Sequence, residues 1–493
     1  MVNAGTEVET RWQGIEVLQL TLGSGNDSID VRGVADDSRV TGYAHSITAG
    51  AGDDSFAVDL LSLGTLTFAG DEGTDRLTVD WSAATNGITW SDNSLATFVE
   101  GWGWVYLNHT GVEDWNITGG SGNDDLRGGS LDDVISAGGG DDDLRGGTGK
   151  GTYLGGAGQD LIVATIASKT GAATTQDFVL SLADTQSRTV TVNAGTAFET
   201  SWQGVEVVQL TLGSGNDSID VRGVASARAA HQLDMGSGND SFAIDLKSLA
   251  GATVWGGDGT DRVTLDWSAA TNGIVWSGNS LATFVDLRGW VYLNYSGIEA
   301  WTVVGGSGDD DIRGGDLDDT LSGGAGNDNL AGGAGKGAYL GGAGQDLVSA
   351  TIASGGVAST GDFVLRLADT QARTVVVNAG MGVETSWQGI EILDLTLGLR
   401  QRCRRRARRR LGPCRPPGRG GRRQRQLLHR PPEPGRRQLR RRRRHRHAGA
   451  RLVRRDRHDL LGRHVPLDLH RESRLALCDR NERRALEHLG RRR

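Results

Sequence analysis

The chain has 493 residues and a net charge of −8, but this average combines two unlike parts. Residues 399–493 contain 35 of the 53 Lys and Arg residues, 8 of the 61 Asp and Glu residues, and every Pro and Cys. Residues 1–398 contain every Trp, Tyr and Phe and are strongly acidic. Disulfides therefore cannot stabilise the acidic part, and its self-repulsion opposes compaction until cations neutralise it. No apolar run reaches the ~18 residues of a transmembrane helix, and the first residues do not read as a signal peptide.

Apolar segments of period two alternate with glycine-rich turns through the first part of the chain. In residues 17–22 and 77–81, for example, every second side chain is apolar, which is typical of a half-buried strand. Several of the intervening turns place an Asp at the sixth position, and a matching set occurs further along. These residues are Asp27, Asp54, Asp75, Asp217, Asp240 and Asp261. Regular strands, glycine turns and almost no helical periodicity predict an all-β solenoid.

Nine-residue blocks follow in two arrays of five, from Gly119 to Val163 and from Gly305 to Ser349. Most blocks read Gly-Gly-x-Gly-x-Asp-x-apolar-x, in which the glycines permit a tight turn and the last three residues a short strand. The apolar side chains at position eight are expected to face one thin core; in the first array they are Leu126, Ile135, Leu144, Tyr153 and Ile162. The acidic side chains at position six are Asp124, Asp133, Asp142, Asp160, Asp310, Asp319, Asp328 and Asp346.

This pattern resembles the RTX nonapeptide of hemolysin-type calcium-binding proteins. The resemblance implies a parallel β-roll with two nonapeptides per coil, so that the first block stacks on the third and the second on the fourth. Calcium would lie between stacked turns, where carboxylates and carbonyls supply the oxygen ligands that it prefers. We therefore interpret every position-six Asp named above as a calcium ligand. For the single turns outside the arrays, calcium ligation and a purely structural role are both open. A calcium site at such a turn would need a second turn stacked against it.

The fourth block of each array departs from the pattern. In the first array Gly151 stands where Asp is expected, Lys150 precedes it, and Leu131 replaces a glycine of the second block. Asp133 therefore faces an incomplete partner turn, and the second array has the same departures at Lys336, Gly337 and Leu317, opposite Asp319. Two interpretations follow: either the lysine ammonium partly replaces the ion in a weak site, or the lysine is a solvated residue on a loop.

A longer repeat organises the whole chain. The sequence that begins at Val2 recurs at Val192 and again at Val377. We divide the chain into a first unit (1–190), a second unit (191–376), the start of a third unit (377–398) and the Arg-rich tail (399–493). Five tryptophans also recur in register, and we expect them to fill the core rather than to bind carbohydrate. The pairs are Trp12 and Trp202, Trp81 and Trp267, Trp90 and Trp276, Trp104 and Trp290, and Trp115 and Trp301.

The tail, taken literally, suggests an arm that binds phosphate groups. However, synonymous codons for residues 399–408, read one base out of phase, encode a near copy of Gly23–Gly33. The same regrouping relates residues 424–435 to 239–250, and the offset of 185 holds further along. We interpret the tail as an out-of-frame translation of the third unit. It is expected to be disordered, and no nucleic-acid partner is expected despite its charge.

These features predict a calcium-binding, secreted repeat protein with a structural or adhesive role, which folds when calcium binds outside the cell. The alternative is the calcium-binding portion of a larger RTX toxin or secreted enzyme whose effector domain is absent. The resemblance implies type I secretion and an extracellular location, with calcium ions and cell-surface or matrix components as partners. Met1 falls inside the repeat, so we expect the chain to be a fragment of a longer gene product.

Catalytic motifs are absent from the sequence. It contains no HExxH, GxSxG or P-loop pattern, and the acidic pairs belong to the calcium motif. His45, His109 and His231 are scattered and have no partners at the spacing of transition-metal ligands. We therefore predict that the protein is not an enzyme.

Resequencing the coding DNA across codons 395–402 tests the interpretation of the tail. We expect a one-base insertion, or an equivalent change of frame, near codon 398, because the displaced frame restores the repeat at a constant offset. An intact frame with codons that do not regenerate the repeat would contradict this interpretation.

Overall fold

The computed structural model describes residues 18–33, 44–60, 65–166, 173–333 and 335–351, with shorter stretches at 353–354, 357–358, 365, 370–371, 373–377 and 384–396. These residues form 40 strands and one four-residue helix, and no described helix has the length and apolar character needed to cross a membrane. The tail, whose disorder the sequence predicts, lies outside the described residues.

Short strands alternate between two sheets, so that two strands make one coil. The first ten are β1 (Gln19–Thr21), β2 (Ser28–Asp30), β3 (His45–Ala51), β4 (Ser55–Asp59), β5 (Thr65–Glu72), β6 (Arg76–Asp80), β7 (Thr89–Ser91), β8 (Ser94–Val99), β9 (Gly103–Thr110) and β10 (Asp114–Thr118). One sheet pairs β1, β3, β5 and β9 in parallel, and the other pairs β2, β4, β6 and β10. An antiparallel meander, β7–β8–β9, widens the first of these sheets.

The first nonapeptide array continues the coil with shorter steps. Its strands are β11 (Asp125–Arg127), β12 (Asp133–Gly139), β13 (Asp143–Arg145), β14 (Gly151–Ala157) and β15 (Leu161–Thr165). Leu126 pairs with Leu144, Leu144 with Ile162, and Ile135 with Tyr153. The predicted stacking of the first block on the third, and of the second on the fourth, is therefore confirmed. All five position-eight side chains of this array are buried.

The second unit repeats this arrangement. The strand β16 (Val179–Ser181) and the helix α1 (Leu182–Thr185) end the first unit. The elements that follow are β17 (Val190–Val192), β18 (Thr200–Gln203), β19 (Val207–Thr211), β20 (Ser218–Asp220), β21 (His231–Asp234), β22 (Ser237–Gly238), β23 (Ser241–Asp245), β24 (Ala252–Trp255), β25 (Asp258–Gly259), β26 (Arg262–Asp266), β27 (Val275–Ser277), β28 (Ser280–Val285), β29 (Gly289–Ser296) and β30 (Ala300–Val304). The antiparallel strand β17 ends one sheet at β18, while β15 pairs with β19 and carries the other sheet into the second unit.

The second array closes the described part of the chain. Its strands and those that follow are β31 (Asp311–Arg313), β32 (Asp319–Ala325), β33 (Asn329–Gly332), β34 (Gly337–Ala343), β35 (Leu347–Thr351), β36 (Ala353–Ser354), β37 (Val357–Ala358), β38 (Val375–Val377), β39 (Thr385–Gln388) and β40 (Ile392–Thr396). Val375 pairs with Trp387 just as Val190 pairs with Trp202, so the hairpin at the start of the second unit recurs 185 residues later. The all-β, parallel β-roll prediction is confirmed.

Large aromatic side chains fill much of the interior. Those fully buried include Trp81, Trp115, Trp202, Trp267, Trp301 and Trp387, and Trp90 and Trp276 are also buried. The expectation that the recurring tryptophans belong to the core is wrong for Trp104 and Trp290, which are about half exposed. The cause is strand alternation, because the neighbouring Val105 on β9 faces the core and Trp104 must then face outward. Trp12 lies outside the described residues.

Close stacking of turns requires glycine at specific positions. Gly156 has a φ of +111°, and a Cβ on this residue would overlap the carbonyl oxygen of Gly138 in the adjacent turn. Gly195 also has a positive φ, +79°, but a Cβ there would meet nothing within 4 Å. The two glycines therefore share a backbone constraint and differ in the space around them.

The variants Gly156→Ala and Gly195→Ala separate these two constraints. Each is expected to lose about 1–2 kcal/mol through the positive φ, and Gly156→Ala is expected to lose more because the stacked turns must also separate. Urea unfolding followed by circular dichroism in saturating calcium measures the difference. Equal unfolding midpoints for the two variants would mean that the turns do not stack as closely as described.

Candidate metal site

The position-six carboxylates of the first array form a column from turn to turn. The backbone N–H of Asp124 donates to Oδ1 of Asp142 at 2.8 Å, and that of Asp142 donates to Oδ1 of Asp160 at 2.9 Å. The N–H of Asp160 donates in turn to Oε2 of Glu206 at 2.8 Å. Each carboxylate thus fixes the turn before it through one oxygen, and four acidic side chains are brought into one line.

Three further columns have the same construction, with hydrogen bonds of 2.6–3.1 Å. They are Asp27, Asp54, Asp75 and Glu113; Asp217, Asp240, Asp261 and Glu299; and Asp310, Asp328, Asp346 and Glu391. The single turns outside the arrays therefore have the stacked neighbours that ligation would require. They are built like the nonapeptide turns.

The glutamate at the end of each column was not identified from the sequence. Each follows a glycine with a φ of about +60° and one Val or Ile, as in Gly111-Val112-Glu113. The same tripeptide pattern recurs at 204–206, 297–299 and 389–391. That recurrence is the signal that could have revealed these residues, although they lie outside the nonapeptide phase.

The second oxygen of most column aspartates is buried and lacks a hydrogen-bond partner among the described residues. These unpartnered Oδ2 atoms belong to Asp54, Asp75, Asp142, Asp160, Asp217, Asp240, Asp261, Asp328 and Asp346. The aspartates that begin the array columns differ, because Oδ2 of Asp124 accepts the N–H of Gly120 at 3.0 Å, and Oδ2 of Asp310 that of Gly306 at 3.1 Å. Buried oxygens with nothing to bind carry a large desolvation cost, which a cation could offset.

Burial raises the pKa of Asp142, Asp240 and Asp328. It brings the pKa of Asp142 to about 7, with the charges of Asp160 and Asp124 adding to the effect, and it brings the pKa of Asp240 and Asp328 to about 7 as well. The positive charge of Arg228 lowers the pKa of Asp142 and so opposes this shift; its guanidinium lies close by and donates to the backbone carbonyl oxygen of Asp142 at 2.7 Å. The columns therefore hold negative charge at neutral pH only at a cost in free energy.

Comparison with known families agrees with this geometry. The model of the RTX calcium-binding nonapeptide repeat matches residues 118–153, 304–338 and 313–348, in four copies. The two arrays are RTX calcium-binding nonapeptide repeats. Such repeats bind Ca²⁺, and their role is structural rather than catalytic. The chain matches no curated protein. The turns at Asp27, Asp54 and Asp75, and those at Asp217, Asp240 and Asp261, lie outside the matched residues.

The residues present fit calcium, with a division of roles between side chains and backbone. No group of three or more His, Cys, Asp or Glu side chains converges on one point in the described part of the chain. Calcium takes roughly six to eight oxygen ligands, so the carboxylates of adjacent RTX turns would provide part of the set and turn carbonyls the remainder. The unpartnered Oδ2 atoms are the side-chain oxygens available for this purpose.

Asp133 and Asp319 occupy a different environment from the other candidates. Oδ1 of Asp133 accepts the N–H of Trp115 at 3.0 Å, and the carboxylate also accepts the N–H of Gly129. Asp319 accepts the N–H of Trp301 at 2.8 Å and that of Gly315. Both residues stack against a glycine, Gly151 or Gly337, rather than against another Asp. At position six, their turns therefore hold one carboxylate with no facing aspartate, and backbone N–H groups donate to it.

A tyrosine hydroxyl fills the incomplete turn of the fourth block. In the first block, a Cβ on Gly119 would overlap Oδ2 of Asp124; in the fourth block, a Cβ on the equivalent Gly146 would overlap the hydroxyl of Tyr153. The second array shows the same substitution, with Tyr339 against Gly332. Burial raises the pKa of the Tyr153 hydroxyl, and the charge of Asp133 raises it further, so the group stays neutral. An uncharged side chain thus takes the place of the missing carboxylate.

This arrangement favours the second interpretation of the lysine. The backbone N–H of Lys150 donates to Oδ1 of Asp132 at 3.0 Å, and its carbonyl accepts the N–H of Asp133 at 3.0 Å. The three atoms nearest to a Cβ on Gly146 all belong to Tyr153. The space inside the turn is therefore taken by the tyrosine ring and not by the lysine ammonium.

The raised pKa values predict how pH acts on the calcium-free chain. Because the folded pKa of Asp142 is about 7 and its ordinary value is 3.8, its contribution to stability is fully present below pH 3.8 and is lost as pH rises through about 7. Without calcium, circular dichroism should therefore show more β-structure at pH 5 than at pH 8. Calcium affinity should rise over the same range, because protons and calcium compete for the carboxylates. A calcium-free chain that gains stability between pH 5 and pH 8 would contradict the described burial.

Restoring the nonapeptide pattern in the fourth block should create a calcium site. The double variant Gly151→Asp/Tyr153→Leu replaces the hydroxyl with a carboxylate that faces Asp133, so calcium bound per chain should rise by about one ion. Gly151→Asp alone should destabilise the fold without added calcium, because the new Cβ would overlap the Tyr153 ring. Equilibrium dialysis with metal analysis measures the stoichiometry. Lys150→Ala is the control and should leave it unchanged; a gain in that variant would show that the ammonium blocks the site.

Proposed function

We propose that this is a secreted calcium-binding repeat protein with a structural or adhesive role, whose acidic part folds when it meets calcium outside the cell. The observation that carries the proposal is the set of nine buried aspartate Oδ2 atoms without a hydrogen-bond partner, arranged in columns. In the absence of a cation, these columns place ionisable groups of one sign close together in the interior. Binding of calcium would remove that cost and so contribute directly to folding.

The position-six aspartates have unequal roles in this proposal. The nine with an unpartnered Oδ2 are the principal calcium ligands, and Asp27 joins them as the outermost member of its column. Asp124 and Asp310 would ligate through oxygens that also accept backbone hydrogen bonds. Asp133 and Asp319, which stack against glycine, would bind weakly or hold their turns through hydrogen bonds alone.

The proposed location follows from the family and from the calcium requirement. RTX repeat proteins are typically secreted. Extracellular calcium modules bind at roughly 10⁻⁴ to 10⁻³ M, so such columns would stay empty and mutually repulsive in the cytosol and fill after export. Cell-surface or matrix components are the proposed partners of the folded solenoid. The division into units at 190, 376 and 398, with an out-of-frame tail, is part of the same proposal.

Circular dichroism of the full chain titrated with calcium tests the proposal. We expect little β-structure in a chelator and a cooperative gain with a midpoint of roughly 10⁻⁴ to 10⁻³ M calcium. Magnesium at equal concentration should not substitute, because it requires a smaller and more rigid octahedral site. Asp142→Asn should move the midpoint to about tenfold higher calcium, whereas the control Asp92→Asn, at an exposed turn, should leave it in place. Complete β-structure in the chelator would refute calcium-dependent folding.

A further inference from the structure

Two antiparallel hairpins, one in each unit, expose the same three aromatic side chains. The hairpin β8–β9 carries Phe98, Trp104 and Tyr106, and β28–β29 carries Phe284, Trp290 and Tyr292. Their exposed fractions lie between 38% and 53%. A repeated patch of large exposed aromatic rings marks a binding surface more often than an accident of packing. We refer to these two patches as the aromatic faces.

The rings of each aromatic face are held in a fixed arrangement. The ring centroids of Phe98 and Trp104 lie 5.9 Å apart with the planes at 72°, and those of Trp104 and Tyr106 lie 6.3 Å apart at 30°. The second face has corresponding values of 5.7 Å and 73°, and of 6.4 Å and 32°. Between the outward rings, Val105 and Leu107 are buried and anchor the hairpin to the core. The rings are therefore preorganised, which lowers the entropic cost of binding.

The strand sequences of the two hairpins are identical over most of their length. Residues 94–99 and 280–285 both read SLATFV, and residues 103–108 and 289–294 both read GWVYLN. The hairpin tips differ, with EGW at 100–102 and DLR at 286–288. The outward positions keep their aromatic character in both units, although the core requires only the inward ones to be apolar.

Neutral polar groups surround the rings. Ala96 pairs with Tyr106 and Ser94 with Asn108 across the hairpin, and Thr65 on β5 pairs with Tyr106 from the other side. No Asp, Glu, Lys or Arg occurs in β7, β8 or β9, or in β27, β28 or β29. The charged residues of the hairpins lie at their tips, as Glu100 in the first and as Asp286 and Arg288 in the second, so the strand surface that carries the rings is itself uncharged. It matches a ligand that offers hydroxyl groups and apolar ring faces.

In the second unit, an open groove on the same sheet extends the aromatic face. The groove has a volume of about 620 Å³; its lining includes Thr165, Gln209, Thr211, Gln232 and Trp255, together with two charged residues of opposite sign, Arg145 and Asp234. Trp255 is exposed and belongs to β24, which pairs with β29 of the hairpin. Amide and hydroxyl side chains that end at an exposed indole are typical of a site that orients a polar ligand against an apolar surface.

We propose that the two aromatic faces bind neutral polysaccharide chains. The proposal rests on the adhesive role stated above and names its target by chemical class. The apolar C–H faces of sugar rings would stack on Trp104 and Trp290, while Asn108, Ser94 and their counterparts would bond the sugar hydroxyls. Two equivalent faces on one solenoid would engage one long chain at two points, which raises its overall affinity.

Titration of the full chain in saturating calcium with neutral oligosaccharides tests the proposal. The probes are cellohexaose, maltohexaose, mannohexaose and chitohexaose, with tryptophan fluorescence and calorimetry as readouts. We expect binding of at least one of them. Trp104→Ala and Trp290→Ala should each remove one class of site, and the double variant should bind at least about tenfold more weakly. Val179→Ala, at another exposed apolar position, is the control and should bind as the unaltered chain does.

Circular dichroism of the same samples separates the two proposals. A double variant that folds normally on calcium addition but loses the oligosaccharide supports the carbohydrate face. Normal folding with no binding of any probe overturns it and leaves calcium-dependent folding intact. Association between copies of the chain, or binding to neutral phosphatidylcholine vesicles, that disappears in the double variant without any sugar binding would also overturn it. Failure of the unaltered chain to fold on calcium would instead refute the proposed function.

Discussion

The stacking of buried carboxylates between turns is the constraint on which the rest of the structure depends. One oxygen of each column aspartate accepts the N–H of the preceding turn and so holds the coils in register. The same placement buries the other oxygen in a space lined by the backbone, where burial raises the pKa of Asp142 and Asp160 to about 7. The alignment of neighbouring coils and the cost of burying like charges therefore both come from the column aspartates. A cation that neutralised these carboxylates would also stabilise the alignment of the coils.

The thin core explains why the columns matter so much. Each eighteen-residue coil of an array presents only two position-eight side chains to the interior, such as Leu144 and Tyr153. Glycines occupy many of the remaining positions, and they lose the most conformational freedom on folding. Apolar burial alone is therefore a weak driving force in the arrays, whereas the regions outside them contain the buried tryptophans that strengthen the core. Aromatic packing therefore strengthens the coil mainly outside the arrays.

The nine-residue phase was sufficient to predict much of the fold and of the site. The phase places every position-eight side chain on one face, and the resemblance to RTX repeats, which implies two nonapeptides per coil, predicts that Leu126 stacks on Leu144 and Asp124 on Asp142. The glutamates could not be found in this way. Asp114 pairs with Arg76, which places Glu113 opposite Asp75, but Trp115 lies opposite Asp133 in the next coil. The residue opposite a position-six Asp is therefore Glu113 on one side of β10 and Trp115, two residues later, on the other. A shift of two residues leaves each side chain on the same face of the sheet, and a repeat of fixed length does not reveal it.

The fourth block shows a second limit of pattern reading. A missing aspartate at Gly151 and a tyrosine at position eight are separate departures in the sequence, yet in space the tyrosine hydroxyl occupies the turn that the carboxylate would occupy. The pair of changes removes one negative charge and leaves no empty volume. A coil with such a turn has less buried charge for a cation to neutralise, so the proposed dependence on calcium differs from turn to turn within an array.

The aromatic faces and the calcium columns use different parts of the same coil. The column carboxylates lie inside the turns, whereas Trp104 and Trp290 lie on the outer surface of strands that extend one sheet sideways. The hairpin strands that carry the aromatic rings contain no charged side chain. Under the proposed function, calcium acts on the aromatic faces only by folding the coil that supports them.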